Sequence, residues 1–345
     1  MSRLSLVVPV YNMESSVETC VRSLMQQTGD IEILLVDDGS KDQSLAVCRK
    51  LAEEDPRIRV YHTENHGSGP ARNYGIAHAT GRYVYFPDAD DLLAPGAAGM
   101  MVRTIEDAGA DLLVFGYRSL DEAGHEVLHK QYPRTTVTGP EARADYSDYV
   151  NATRPLGIQG APWNKLFDLE LIRRYSIEYP PLRRRQDDGF IARYMHHVHK
   201  IVFLDETLYT HHVNSLQKVW DKYPPDYADI VVQLYGIKEQ TILSWNARDR
   251  KTHDLVNCEY INGVIKAMEL SFSPKLKLKS AKARRQRMTR ITQATKLRHM
   301  KLPPGLGRYQ KLVASLIQDK HPRTAYQVMK LKVMLEKHGL LRFLK

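Results

Sequence analysis

Four short apolar runs in the first hundred residues each end on polar or acidic residues, and helical spacing fills the gaps between them. The runs are "LSLVVPVY" (4–11), "IEILLVDD" (31–38), "IRVYHT" (58–63) and the strand within "RYVYFPDADD" (82–91). Continuous apolar stretches of this length suit strands covered on both faces, as in a parallel sheet sandwiched by helices. Residues 14–27 place Val17, Cys20, Val21 and Leu24 on one helical face. "SLAVCRKLAEED" (44–55) repeats the pattern, and "GPARNYGIAHAT" (69–80) opens on a Gly-Pro that suits a first helical turn. The β-α-β-α rhythm predicts a doubly wound α/β sheet. Ligands of such sheets bind beyond the carboxyl ends of the strands. Tyr11 with Asn12, Asp37 with Asp38, and Asp88 with Asp90 and Asp91 are therefore expected to converge on one edge.

The last of these clusters, in "YFPDADDLL" (85–93), places three carboxylates within four positions. Their mutual repulsion has to be relieved by water or a cation. A solvated loop capping the next helix is one reading, since Asp is a good N-cap. A divalent-cation site is the other, and convergence with two more polar tips favours it. Hard Mg²⁺ or Mn²⁺ takes oxygen ligands of this kind.

Farther on, a helix near 96–108 and a strand at 111–117 lead into an irregular middle. It holds "GAPWNKLF" (160–167), "RRRQDDGFIARYMHHVHKI" (183–201) and "FLDETLYTHHVNSLQK" (203–218). From about residue 226 the pattern turns helical. The net charge of +10 hides a division. Residues 271–345 hold 20 Lys and Arg against 2 Asp and Glu, leaving the first 270 residues with 30 bases and 38 acids. No apolar run approaches the roughly 18 residues of a membrane span. The N-terminal apolar stretch is too short and too early for a signal peptide. Cys20, Cys48 and Cys258 are scattered, without metal-binding spacing, so reduced thiols in a cytoplasm are the expectation. Neither a dinucleotide fingerprint nor a Walker A pattern is present.

Together, "VVPVYNMESSVETCVRSLMQQT", "ILLVDDGSKDQS", "GSGPARNYGIAHATGRYVYFPDADD" and "QDDGF" resemble a family 2 glycosyltransferase over roughly residues 3–215. The resemblance implies the GT-A fold, a Rossmann-like, mostly parallel α/β sheet for nucleotide-diphospho-sugars. It implies an inverting, metal-dependent transfer from a nucleotide-sugar, read as a UDP-sugar because a carboxylate can accept the uracil N3–H. On this pattern Asp90 and Asp91 hold Mn²⁺ or Mg²⁺, and Asp88 lies nearer the donor ribose. Asp38 meets the base, and Pro9 and Tyr11 flank it. Arg72 and Asn73 contact the nucleotide or its phosphates, with a routine ion pair as the alternative for Arg72. Asp188 matches the general base, and Asp187 stands where the family usually has Glu. Alternatively the pair neutralises Arg183, Arg184 and Arg185. Trp163 and Lys165 fall on the acceptor side, although Trp163 as plain core fits equally. His212 and Ser215 fall where the family closes over the diphosphate, but the Arg usual in that pattern is missing.

The expected division is a catalytic domain, 1–219, and a basic helical region, 220–345. Within 274–311 there are 13 Lys and Arg and no acid. Anionic membrane surfaces attract such segments at roughly 1 kcal/mol per basic residue, so peripheral association with the inner face of the cell membrane is expected. Docking to an anionic acceptor is a further reading. Nucleic acid is disfavoured, because Phe272 and Tyr309 are the only aromatics between 270 and 320. The expected acceptor is a glycan, a lipid-linked saccharide or a cell-surface polymer, and an oligomer is allowed. The competing functional class is a nucleotide-sugar-binding scaffold working through its basic tail.

Overall fold

The computed structural model describes residues 3–150, 154–158, 160–213, 223–245 and 250–337. The chain divides into two compact units, Met1–Leu216 and Gln217–Lys345.

In the first unit, β1 (Leu4–Val10), β2 (Ile31–Asp37), β3 (Ile58–His62) and β4 (Tyr83–Tyr85) form a parallel block in the order β3-β2-β1-β4. Every residue of β2 is buried, as its apolar run requires of a central strand. The crossovers are α1 (Val17–Met25), α2 (Ser44–Glu54) and α3 (Ser68–His78). The first of these starts three residues later than its spacing suggests. Asn12 takes a left-handed backbone at φ 52°, and the Met13 carbonyl accepts from the amides of Ser16 and Val17 before the helix proper begins. Against β1, α3 packs so closely that a Cβ on Gly75 would overlap the Val7 side chain. Only glycine allows that approach, and it sets the start of α3 beside the strand tips.

The remaining strands extend the same sheet. Short β5 (Leu92–Leu93), α4 (Ala97–Ala108) and β6 (Leu112–Leu120) follow the acidic cluster. Next come β7 (Glu126–Lys130), β8 (Thr135–Thr138), α5 (Gly139–Ala144), α6 (Tyr146–Tyr149), β9 (Lys165–Asp168) and α7 (Leu169–Arg174). The unit closes with α8 (Gln186–His197) and β10 (Lys200–His212). The full order is β3-β2-β1-β4-β9-β6-β10-β5, with β7 on β6 and β8 on β10. Between β4 and β6 lies β9, antiparallel to both, and β10 returns parallel to β6. This central, mostly parallel sheet is the expected α/β architecture, with an antiparallel insertion that apolar patterning does not reveal.

The second unit is helical: α9 (Tyr227–Gln240), α10 (Ile242–Trp245), α11 (Arg250–Glu269), α12 (Ala281–Ala294), α13 (Arg308–Gln318) and α14 (Pro322–Lys337). Several of its cations are engaged within the unit. Arg287 donates to the Ala267 carbonyl, Lys296 pairs with Glu239, and Arg284 and Arg285 sit over the rings of Phe272 and Tyr326. Among the described residues, no helix is long and apolar enough to cross a membrane.

Candidate active site

A cavity of about 750 Å³ opens beyond the carboxyl ends of the parallel strands. Pro9 and Tyr11 border it from the end of β1, Asp38 from β2, Arg72 from α3, Asp88 and Asp90 from the loop after β4, and Asp187 from the first turn of α8. The convergence expected of the strand tips is therefore realised. Sequence reading missed the floor of the cavity. Asn65, His66, Gly67 and Ser68, the loop entering α3, line it together with Met13 and Arg183. The signal was there, because "NHGSG" precedes the helix that carries Arg72.

Asp38 organises that loop. Its carboxylate accepts the amides of His66 at 2.9 Å and Gly67 at 2.8 Å. Asp37, fully buried, accepts the Ser40 amide and faces His62 Nδ1 at 2.7 Å. Its other oxygen has no hydrogen-bond partner among the described residues.

Arg72 is the buried centre of the site. Nη2 donates to Asp88 Oδ1 at 2.5 Å, and Nη1 donates to Asp187 Oδ1 at 3.2 Å. Its guanidinium also lies 5.4 Å from the Tyr179 ring centre. One cation thus joins the acidic loop to the start of α8. Burial pushes the Asp187 carboxyl up to about 6. The nearby charges of Asp88 and Asp188 add to the rise, while Arg72 opposes it.

The three acids of the loop have separate environments. Asp90 is exposed at the cavity wall, and partial desolvation followed by the charge of Asp88 raises its carboxyl. Asp91, expected beside it as a metal ligand, points the other way. It is buried, accepts the Tyr209 hydroxyl at 2.7 Å and the His212 amide at 2.7 Å, and borders no part of this cavity. Burial, then Asp88 and Asp90, lift it to about 8. Asp91 is a clamp between the loop and the end of β10. Among the described residues, no three His, Cys, Asp or Glu side chains form a ready metal cage. Asp88 and Asp90 nevertheless suit a cation shared with a ligand's phosphates, because Mg²⁺-type sites commonly use one or two carboxylates plus phosphate oxygens.

Of the two readings left open for Trp163, plain core is the one seen, and three more expectations are corrected. Trp163 is core: it stacks between Tyr209, 5.0 Å away, and His211, 5.1 Å away, and meets Tyr117 edge-on. Lys165 is wholly buried, and its ammonium donates to the Ala161 carbonyl and Asn164 Oδ1, both at 2.6 Å. Burial draws it down to about 7. Asn73 exchanges two hydrogen bonds with the backbone of Tyr179, at 2.8 and 2.9 Å, and so fastens the segment before α8 rather than reaching the cavity. His212 sits outside the cavity, with Nδ1 2.9 Å from the Asp90 carbonyl. Ser215 lies outside the described residues.

The two acids of "QDDGF" part company. Asp187 lines both the cavity and an adjoining cleft of about 420 Å³, whereas Asp188 lines the cleft alone, with Gly160, Ala161 and Arg183–Arg185. Arg185 Nε donates to Asp188 Oδ2 at 2.6 Å. The main chain at Gly160 runs so close to Asp188 Oδ1 that any Cβ there would overlap it.

A mostly parallel α/β sheet with an acid- and arginine-lined cavity past its strand ends is the GT-A architecture. Residues 5–167 match the model of Glycosyl transferase family 2, and this part of the chain belongs to that family. Over 225 residues the chain is 32% identical to EpsH of Bacillus subtilis (strain 168), a protein assigned to the glycosyltransferases; the match covers 64% of each. It is 27% identical over 248 residues to glycosyltransferase GlyG of Streptococcus pneumoniae serotype 4, covering 68% of this chain and 79% of that one. The chain thus matches less than two thirds of EpsH. Among solved structures, S. aureus TarS 1–349 in complex with UDP-GlcNAc superposes with a TM-score of 0.66 at 20% identity, over 98% of this chain and 92% of that one.

Proposed function

We propose that the chain transfers a sugar, with inversion, from a UDP-sugar to a hydroxyl of a glycan, lipid-linked saccharide or cell-surface polymer. The observation that carries this reading is the single cavity shared by Tyr11, Asp38, Arg72, Asp88, Asp90 and Asp187, in a fold whose neighbour TarS was solved with UDP-GlcNAc. Pro9 and Tyr11 offer a surface for the base. Asp38, with its loop fixed by two amides, has lone pairs left for the uracil N3–H. Arg72 places positive charge where the phosphates lie. Asp88 and Asp90 are the residues to hold a divalent cation, which when bound would neutralise charge on the departing diphosphate. Asp188 takes the proton of the acceptor hydroxyl from the adjoining cleft. Arg185 holds one of its oxygens from the side at 2.6 Å.

Calorimetric titration of UDP, with and without Mn²⁺, tests the reading on wild type and Asp90→Ala. The expected result is binding that needs both metal and Asp90. Equal affinity in all four conditions overturns the metal assignment, and no binding in any of them overturns the donor site. The basic stretch 274–311 supports docking on an anionic membrane surface. Pelleting with anionic vesicles that fades as salt rises is the expected behaviour, and no pelleting at low salt removes this part of the proposal.

A further inference from the structure

The cleft beside Asp188 has an unusual lining for a sugar site. Gly160, Ala161 and residues 183–188 form it, and no aromatic ring is among them. Neutral sugars are commonly gripped by stacking on such rings, yet the tryptophan of this region is locked into the core between Tyr209 and His211. Three consecutive arginines stand there instead. The two carboxylates at the cleft already have cations of their own: Asp188 has Arg185, and Asp187 has Arg72. Arg183 is exposed and makes no ion pair or hydrogen bond among the described residues, and it lines both the cleft and the donor cavity. Arg184 faces the cleft but not the donor cavity. The turn presenting these side chains is strained, for Arg185 has a left-handed backbone at φ 60° as it enters α8. Such strain persists where the surroundings over-determine it, often at ligand sites.

We propose that this cleft receives an acceptor bearing an anionic group, a phosphate ester or a carboxylate, which Arg183 and Arg184 hold while its hydroxyl faces Asp188. The fork of a guanidinium matches the paired oxygens of either group. The inference rests on the transfer reading above and names the chemistry of its acceptor.

The test uses the whole chain saturated with UDP in the presence of Mn²⁺, so that the donor cavity is filled. Short oligomers of glycerol phosphate, of hyaluronan and of cellulose are titrated in turn, supplying phosphate, carboxylate and no charge. At least one anionic oligomer is expected to bind about tenfold tighter than the neutral one and to weaken as salt rises from about 50 to about 300 mM. Whichever binds identifies the group. Arg184→Gln should lower that affinity about tenfold, Arg184→Lys should recover part of it, and UDP affinity should stay within about twofold of wild type in both. A neutral oligomer that binds as well as the anionic ones overturns the proposal. So does an Arg184→Gln chain that keeps full affinity, or the failure of both anions in a chain that binds UDP. If UDP itself does not bind, the donor reading fails first and takes this inference with it.

Discussion

Substituting Gly160 by alanine isolates the position of Asp188 from its chemistry. The carboxylate, its arginine and the whole donor cavity keep their atoms; one methyl group is added. That methyl would lie well inside the 3.0 Å that real Cβ contacts respect, against Asp188 Oδ1, with the Asp188 carboxyl carbon itself at 3.0 Å. The oxygen has to retreat by about 1 Å, a repulsion that outweighs any dispersion gain from the new methyl. Arg185 grips the opposite oxygen at 2.6 Å, so the retreat also bends that ion pair. A displacement of about 1 Å at a reacting group lowers turnover by about 100-fold. The clash is a case of overpacking, so alanine should also lower folding stability by about 1–3 kcal/mol. The assay is release of UDP from whichever UDP-sugar the wild type turns over, with UDP affinity and Tm measured beside it. We expect turnover to fall about 100-fold, with UDP affinity nearly unchanged and Tm lowered only modestly. Full turnover in Gly160→Ala would refute Asp188 as the base and move the role to Asp187.

Two more outcomes follow from residues whose roles the structure revised. Folding draws Lys165 down to about 7 from an ordinary value of about 10.4. Between those pH values the unfolded chain holds a proton that the native chain lacks, so this lysine makes stability rise as pH rises from 7 towards 10 and fall again on acidification. Lys165→Met should flatten that rise in a series of thermal melts from pH 6 to 10, and parallel profiles for the two chains would contradict the burial argument. Asn73→Ala removes two hydrogen bonds to the Tyr179 backbone. It should lower stability by about 1–3 kcal/mol while leaving UDP affinity within twofold, whereas a large loss of UDP affinity with unchanged Tm would restore Asn73 to the binding site.

The parallel half of the sheet was legible because β1, β2 and β4 are buried on both faces and read as apolar runs. The convergence at their tips was legible because the carboxyl ends of parallel strands share one edge of the sheet. The antiparallel β9 escaped, since "KLFD" is too short to carry a period of its own. Side-chain direction escaped as well. Asp90 and Asp91 are neighbours in sequence, but one faces the cavity while the other is turned inward by Tyr209 and His212, residues some 120 positions away. Lys165 failed for the same reason, and Trp163 was left open between core and ligand contact. An aromatic and a cation near a loop look like ligand contacts until partners distant in sequence, here Tyr209 and His211 for the ring, take up their surfaces.

Arg72 has a mechanical consequence. Its two terminal nitrogens hold the loop after β4 and the first turn of α8, so the width between these two walls is set by the span of one rigid, planar group. The jaw is a fixed-gap gauge: it neither opens for a bulkier ligand nor tightens on a smaller one without breaking an ion pair of the buried Arg72. Removing one partner of such a pair costs about 3–5 kcal/mol, more than most single contacts with a sugar could return. Lysine, with a single nitrogen on a flexible stem, would keep the charge and lose the gauge.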